Sequence, residues 1–217
     1  MNRRGLVLGT VAVAVAIFGL GALMVQQNQA EPDAAIAVTE GTPLIRPYAP
    51  IIGDENAPVT IVEFFDPACE ACRAFHPVVK DILKEHAGKV RVIVRYAAFH
   101  KGSDEAVKIL EAARLQGIFE PILEALLSAQ PKWASHGSPR IELAWDAAAT
   151  AGLDVTAARA VMDSPEILRR LQQEQADIET IGVKQTPTFF VDGLPLRPFG
   201  ADNLRKMVKS QVTASSS

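Results

Sequence analysis

The stretch Glu63-Phe64-Phe65-Asp66-Pro67-Ala68-Cys69-Glu70-Ala71-Cys72 decides how this chain is read. It completes a β-branched and aromatic run that begins at Val59, whose lack of polar alternation marks a buried strand. Asp66-Pro67 breaks that strand. From Cys69 to about His86 the apolar residues Phe75, Val78, Val79, Ile82 and Leu83 share one helical face. Cys69 and Cys72 therefore stand three residues apart at the mouth of a helix, a spacing that brings Cα atoms within the roughly 4.4–6.8 Å a disulfide requires. Unpaired amides and the positive dipole end at a helix start favour a thiolate on Cys69. This predicts Cys69 as the attacking sulfur and Cys72 as the resolving one.

Beyond this segment, Gly88 closes the helix and Val90 to Tyr96 reads as a second strand. A helical block follows over roughly 103–181, with Val107, Leu110, Ala113, Ile118, Ile122 and Leu126 recurring at threes and fours. Ser138-Pro139 and Ser164-Pro165 each have the form of an N-cap followed by proline at the first helical position. Thr188 to Val191 is then a strand, Asp192-Gly193 a hairpin turn, Leu194 to Phe199 its partner strand, and Ala201 to about Val212 a last helix. The pattern is α/β, a mixed domain in parts 51–102 and 182–212, divided by an all-helical module at 103–181 and followed by a tail at 213–217.

Twenty uncharged residues at 6–25 (LVLGTVAVAVAIFGLGALMV) would span about 30 Å as a helix, the thickness of a bilayer core. Arg3 and Arg4 precede them and no basic residue follows before Arg46, which places the body on the far side of the membrane. The segment is read as a transmembrane anchor, with a signal segment cut near Ala30 as the alternative. Residues 26–50, rich in Gln, Ala and Pro, read as a linker. Outside the cytoplasm a cysteine pair can be oxidised.

Composition narrows the function. With 217 residues there is room for one domain, and 48% hydrophobic with 22% charged residues excludes a disordered chain. A net charge of −3 without a basic run gives no electrostatic reason to bind nucleic acid. Only two cysteines exclude a disulfide scaffold and a four-cysteine zinc site.

The segment 63–72, followed by Pro77, resembles the active-site segment of thioredoxin-fold oxidoreductases, and Thr186-Pro187-Thr188 resembles their cis-proline loop. With its helical insertion, the chain over about 50–212 is similar to the DsbA-like branch, which exchanges disulfides in the periplasm or at the bacterial cell surface. The resemblance implies a thioredoxin fold and catalytic roles for Cys69, Cys72, Glu63 and Pro187. Glu63 matches the family's buried acid, which relays a proton to or from the resolving thiol. Pro187 matches the cis-proline, and Thr186, Pro187 and Thr188 the backbone against which an extended substrate pairs. Pro77 matches a structural helix proline. No metal or nucleotide cofactor is implied, because the Cys69–Cys72 disulfide carries the two electrons. The implied partners are protein thiols or disulfides and a membrane redox protein that resets the pair. The implied site of action is the periplasm or the outer face of a bacterial cytoplasmic membrane.

The chain departs from the strongly oxidising members, which hold proline-histidine between the cysteines. Here the dipeptide is Glu70-Ala71, and repulsion from Glu70 and Asp66 should hold Cys69 above the ~3.5 of the extreme oxidant and its potential below about −120 mV. Residue 68 is alanine rather than the tryptophan of thioredoxins, and Thr186 is closer to the isomerase members. The oxidase direction is favoured over reductase or isomerase, since residues 26–50 are too few for the separate dimerisation domain usual in isomerases. Rival readings are a copper(I) handler using Cys69, Cys72 and His76, and a redox-inert chaperone using the groove at Pro187. His76 itself is read first as a half-buried helix histidine, Trp133 and Trp145 as packing residues, and His100 and Lys101 as rim residues. His136 has no visible partner, and the charges at 166–179 read as a solvated helix face.

Overall fold

A computed structural model describes residues 35–135 and 137–216. The segment at 6–25, the cleavage point near Ala30 and His136 lie outside the described residues. Among the described residues, no helix is long and apolar enough to cross a membrane.

Strand β2 (Val59–Phe65) is buried at all seven positions, as its unalternating apolar run requires. It pairs in parallel with β3 (Val90–Tyr96) and antiparallel with β4 (Thr188–Val191). The edges are β1 (Ile51–Gly53) beside β3 and β5 (Leu194–Pro195) beside β4, giving the order β1-β3-β2-β4-β5. A parallel pair needs a crossover, and helix α1 (Glu70–Glu85) supplies it between β2 and β3. Five helices lie between β3 and β4: α2 (Ser103–Leu115), α3 (Phe119–Trp133), α4 (Ile141–Thr150), α5 (Val155–Val161) and α6 (Pro165–Ile181). Helix α7 (Ala201–Ala214) ends the domain.

Period-two alternation sorts the sheet into two cores. Val59, Ile61 and Phe65 face α1, α7 and the helical module, whereas Val62 and Phe64 pack with Ile178 and Val183 on the opposite face. Leu44, Ile45 and Ala49 belong to that second core. The linker assigned to 26–50 is thus wrong for its last residues, which carry enough apolar surface to be drawn onto the sheet.

Other boundaries shift for local reasons. The strand expected over 194–199 is only Leu194–Pro195; the Leu196 amide still donates to the Phe189 carbonyl, and Pro198 has no N–H to carry a ladder further. Ser138-Pro139 does not start a helix; Arg140 occupies the N-cap position of α4, and Pro139 lies against Gly102. Ser164 does cap α6, its hydroxyl accepting from the Ile167 amide at 3.4 Å with Pro165 at the first turn. Asp192 and Gly193 turn with φ of 47° and 81°, the left-handed pair of a tight hairpin. Gly193 could carry no side chain, since the Ile36 carbonyl oxygen lies 2.0 Å from where a Cβ would be.

The 166–179 face is also not uniformly solvated. Glu174 and Asp177 are buried against the fully enclosed Arg95, whose Nε lies 3.0 Å from Glu174 and Nη2 2.7 Å from Asp177. Trp133 and Trp145 are packing residues with satisfied indoles, donating to the Leu126 carbonyl and to Glu105.

Candidate active site

The end of β2, the start of α1 and the loop before β4 meet at the two cysteines. Cys69 is the N-cap of α1, with extended backbone and 6% of its surface exposed, and Cys72 lies one turn inside at 0%. Both are free thiols. The Cys69 Sγ lies 3.2 Å from the Thr186 carbonyl oxygen, and Cys72 Sγ accepts from the Asp66 amide at 3.4 Å. The Thr186–Pro187 bond is cis, as the resemblance implies. The β2–α1 junction and a loop more than a hundred residues later therefore meet at the Cys69 sulfur.

The environment makes the two thiols unequal. A hydrogen bond from Cys72 is the foremost influence on Cys69 and brings its pKa down to about 5; burial opposes, while the Thr186 side chain and the Cys72 and Ala71 amides assist. The helix-start amides therefore act, but behind the neighbouring thiol. Cys72 is held well above the ordinary thiol value, first by burial, then by its bond to Cys69 and the charge of Glu63. At neutral pH this is the division needed for one nucleophile and one protonated reserve.

Glu63 sits in the middle of the central strand, between Val94 and Phe189, and is buried. Burial and then the Cys69 charge push its pKa up to about 8, so it holds or releases a proton near neutral pH. Pro77 lies inside α1, and Thr188 begins β4 with its hydroxyl donating to the Gln185 carbonyl.

Asp66, expected from the sequence as a charge near Cys69, is the acceptor for a set of donors from two loops. Fully buried, it accepts from the amides of Ala68 (2.8 Å), Phe99 (2.8 Å) and His100 (3.0 Å), from His100 Nδ1 (2.7 Å) and from the Ser103 hydroxyl. Burial lowers the pKa of His100, yet the bond to Asp66, with the charges of Asp66, Cys69 and Glu70, leaves it raised overall. An imidazole from the β3–α2 loop thus stands at the rim of the site, and Asp66 ties that loop to the cysteine loop. Lys101 instead donates to the Gly137 carbonyl. Gln130 of α3 makes a second tie, donating to the Pro67 and Cys69 carbonyls at 2.8 and 3.0 Å while accepting from Arg73. Asp-Pro after a strand is a turn signal that could have suggested the Ala68 bond, but nothing in the sequence marks Gln130.

His76 is half-buried on α1, and its Nε2 has no hydrogen-bond partner. Among the described residues, no group of three or more His, Cys, Asp or Glu side chains is placed to hold a metal ion, so His76 does not join the cysteines in a ligand set.

Fold and site together define a class, proteins of thioredoxin fold that carry a Cys-x-x-Cys pair at the start of the helix after the central strand. The chain belongs to the thioredoxin family, whose model, described as Thioredoxin, matches residues 46–210. It is 26% identical over 169 residues to a putative protein-disulfide oxidoreductase of Rickettsia typhi, covering 73% of this chain and 60% of that protein. A thioredoxin-like oxidoreductase from Silicibacter pomeroyi superposes with a TM-score of 0.66 at 27% identity, covering 79% of this chain and 94% of that one. Wolbachia pipientis alpha-DsbA1 shares the fold with a TM-score of 0.67 at 18% identity, covering 80% and 97%. A Na+/H+ antiporter NhaA of Herminiimonas arsenicoxydans is 36% identical over 148 residues. That match covers 68% of this chain and only 23% of the antiporter, so the chain spans about a quarter of its length.

Proposed function

We propose that this protein exchanges disulfides with protein substrates outside the cytoplasm, using Cys69 and Cys72 and working in the oxidase direction. The observation that carries the reading is the inequality of the two thiols at the start of α1, with Cys69 brought down to about 5 and Cys72 held up. A thiolate stabilised in the reduced protein makes the disulfide form the better oxidant. The Cys69 value lies between the ~7 of thioredoxin and the ~3.5 of the extreme oxidant.

A substrate thiolate attacks Cys69 Sγ, the Cys69–Cys72 bond breaks, and Cys72 leaves with the electron pair and takes a proton from Glu63. A second substrate thiolate then attacks the substrate sulfur of the mixed disulfide. Cys69 leaves as a thiolate, and the substrate is left oxidised by two electrons. Pro187 and its neighbours Thr186 and Thr188 offer backbone to an extended substrate beside the reacting sulfur. Since the thiol pair carries the electrons, this cycle calls for no metal or nucleotide cofactor. It does call for a membrane redox partner to restore the disulfide. The segment at 6–25, whether retained as an anchor or removed near Ala30, supports placing the domain in the periplasm or on the outer membrane face.

Equilibration with glutathione tests the direction: the oxidase reading expects a potential between about −250 mV and the roughly −120 mV of DsbA, and a value below about −250 mV overturns it in favour of a reductase. Oxidation of reduced RNase by the wild type, abolished in Cys69→Ser, tests the activity.

A further inference from the structure

The route by which the enclosed Glu63 exchanges its proton with solvent is the step this reading leaves open. A cavity of about 30 Å³ lies beside Glu63, bounded by Phe65 and Val79 and by His76, Lys80, Glu120 and Glu124. One water needs roughly 10–15 Å³ and two or more polar neighbours, so the space suits a water within reach of both Glu63 and His76. On its outer side, His76 also lines a surface groove of about 480 Å³ with Arg73, Pro77, Lys80 and Glu124. The imidazole is thus a wall shared by the inner cavity and the outer groove. Its Nε2 is shielded from solvent yet has no hydrogen-bond partner in the protein, an expensive arrangement unless a water supplies one.

We infer that His76 is a positioning residue for proton exchange, passing protons between the outer groove and a water that serves Glu63. The inference rests on the proposed role of Glu63 and adds the path that role requires. The groups facing His76 are Lys80 on its own helix, Glu120 and Glu124 on α3 and Glu63 on β2. Burial and then the Lys80 charge lower the pKa of His76, with Glu124 opposing. A neutral imidazole accepts on one nitrogen while donating from the other, which is what a two-way relay needs. When Cys72 leaves the disulfide and takes the Glu63 proton, the cavity water protonates the Glu63 carboxylate. That water is reprotonated through His76, which draws a proton from the groove. In the reverse direction the same bonds break and form in the opposite order, and the proton leaves.

Single-turnover oxidation of a dithiol peptide at pH 9, where Glu63 starts mostly ionised and must take its proton through the relay before Cys72 can leave, is quenched in acid and read by mass for wild type, His76→Gln and Glu63→Gln. The expected result is that H76Q slows release of the oxidised peptide by roughly tenfold or more, part of the ~10²–10⁴-fold that a direct general acid contributes. Added imidazole restores the rate, and the Cys69 alkylation profile is unchanged. A slow E63Q beside an H76Q that runs at the wild-type rate overturns the relay and leaves the Glu63 role standing. An E63Q that runs at the wild-type rate overturns both. Should H76Q fail to fold, the wild-type rate in mixtures of H2O and D2O decides: a curved dependence on deuterium content, the mark of several protons in transit, supports the relay, and a linear one overturns it while leaving the Glu63 transfer standing.

Discussion

Asp66→Asn should cost this protein a large part of its stability, though less than Asp66→Ala, even though asparagine has nearly the same shape. Every bond to Asp66 is donated to it: the Ala68 amide and Ser103 hydroxyl reach Oδ1, and the Phe99 amide, His100 amide and His100 Nδ1 reach Oδ2. An asparagine must turn its NH2 group toward one of these two sets, so at least two donors face a donor. Each buried donor left unsatisfied costs about 1–3 kcal/mol. The Ser103 hydroxyl can rotate and the partly exposed His100 ring can find water, which favours the low end. The expected loss is therefore about 3 kcal/mol, against a total stability of roughly 5–15 kcal/mol for a domain. Urea unfolding of the reduced proteins, followed by the fluorescence of Trp133 and Trp145, measures it as a lower midpoint at equal slope. The His100 titration, read by NMR, should move down in the same variants, since its bond to Asp66 is lost. An asparagine variant within about 0.5 kcal/mol of wild type would refute the reasoning, because the pocket would then tolerate a donor where only an acceptor fits.

Cys72→Ala should raise the Cys69 pKa from about 5 toward the ordinary thiol value, as read by iodoacetamide rate against pH; an unmoved midpoint would mean that the helix amides alone hold the thiolate. For Glu63, the folded pKa of about 8 lies above the ordinary 4.5, so its contribution to stability is complete below 4.5 and is lost as pH rises through 8. At ~1.4 kcal/mol per pH unit that loss is on the order of 5 kcal/mol, and Glu63→Gln should flatten the stability profile between those values; a wild-type profile without the fall contradicts the buried acid. Arg95→Met leaves Glu174 buried without its cation, while Asp177 keeps Arg46, and should cost about 3–5 kcal/mol in thermal or urea unfolding, whereas a cost under about 1 kcal/mol would mean that water reaches Glu174.

What could be read from the sequence is what its local pattern determines. Val59–Phe65, Cys69 at a helix start and the Asp192-Gly193 turn each depend on residues within one element or its cap, and each stands where the pattern put it. The same reach explains the errors. Asp66 looked like a charge alone because its five donors arrive partly from 99–103, about 35 residues on. Glu174 and Asp177 looked solvated because Arg95 reaches their helix from strand β3, about 80 residues earlier, and Gln130 was invisible because its acceptors are the carbonyls of Pro67 and Cys69.

The thiolate shows how the two kinds of information combine. A helix start can be recognised from sequence and does supply assisting amides, yet the principal stabiliser of Cys69 is a protonated Cys72. Cys72 stays protonated because it is buried and because Glu63 lies beneath it, and both conditions come from strand packing rather than from the four residues of the motif. A Cys-x-x-Cys segment placed on an isolated peptide helix would keep the amides and lose the enclosure, so its first cysteine should titrate much closer to the ordinary thiol value. The acidity of Cys69 belongs to the β2–α1 junction as a packed unit. It follows that substitutions in β2 which admit water to Glu63 should weaken the inequality of the thiols without touching either sulfur.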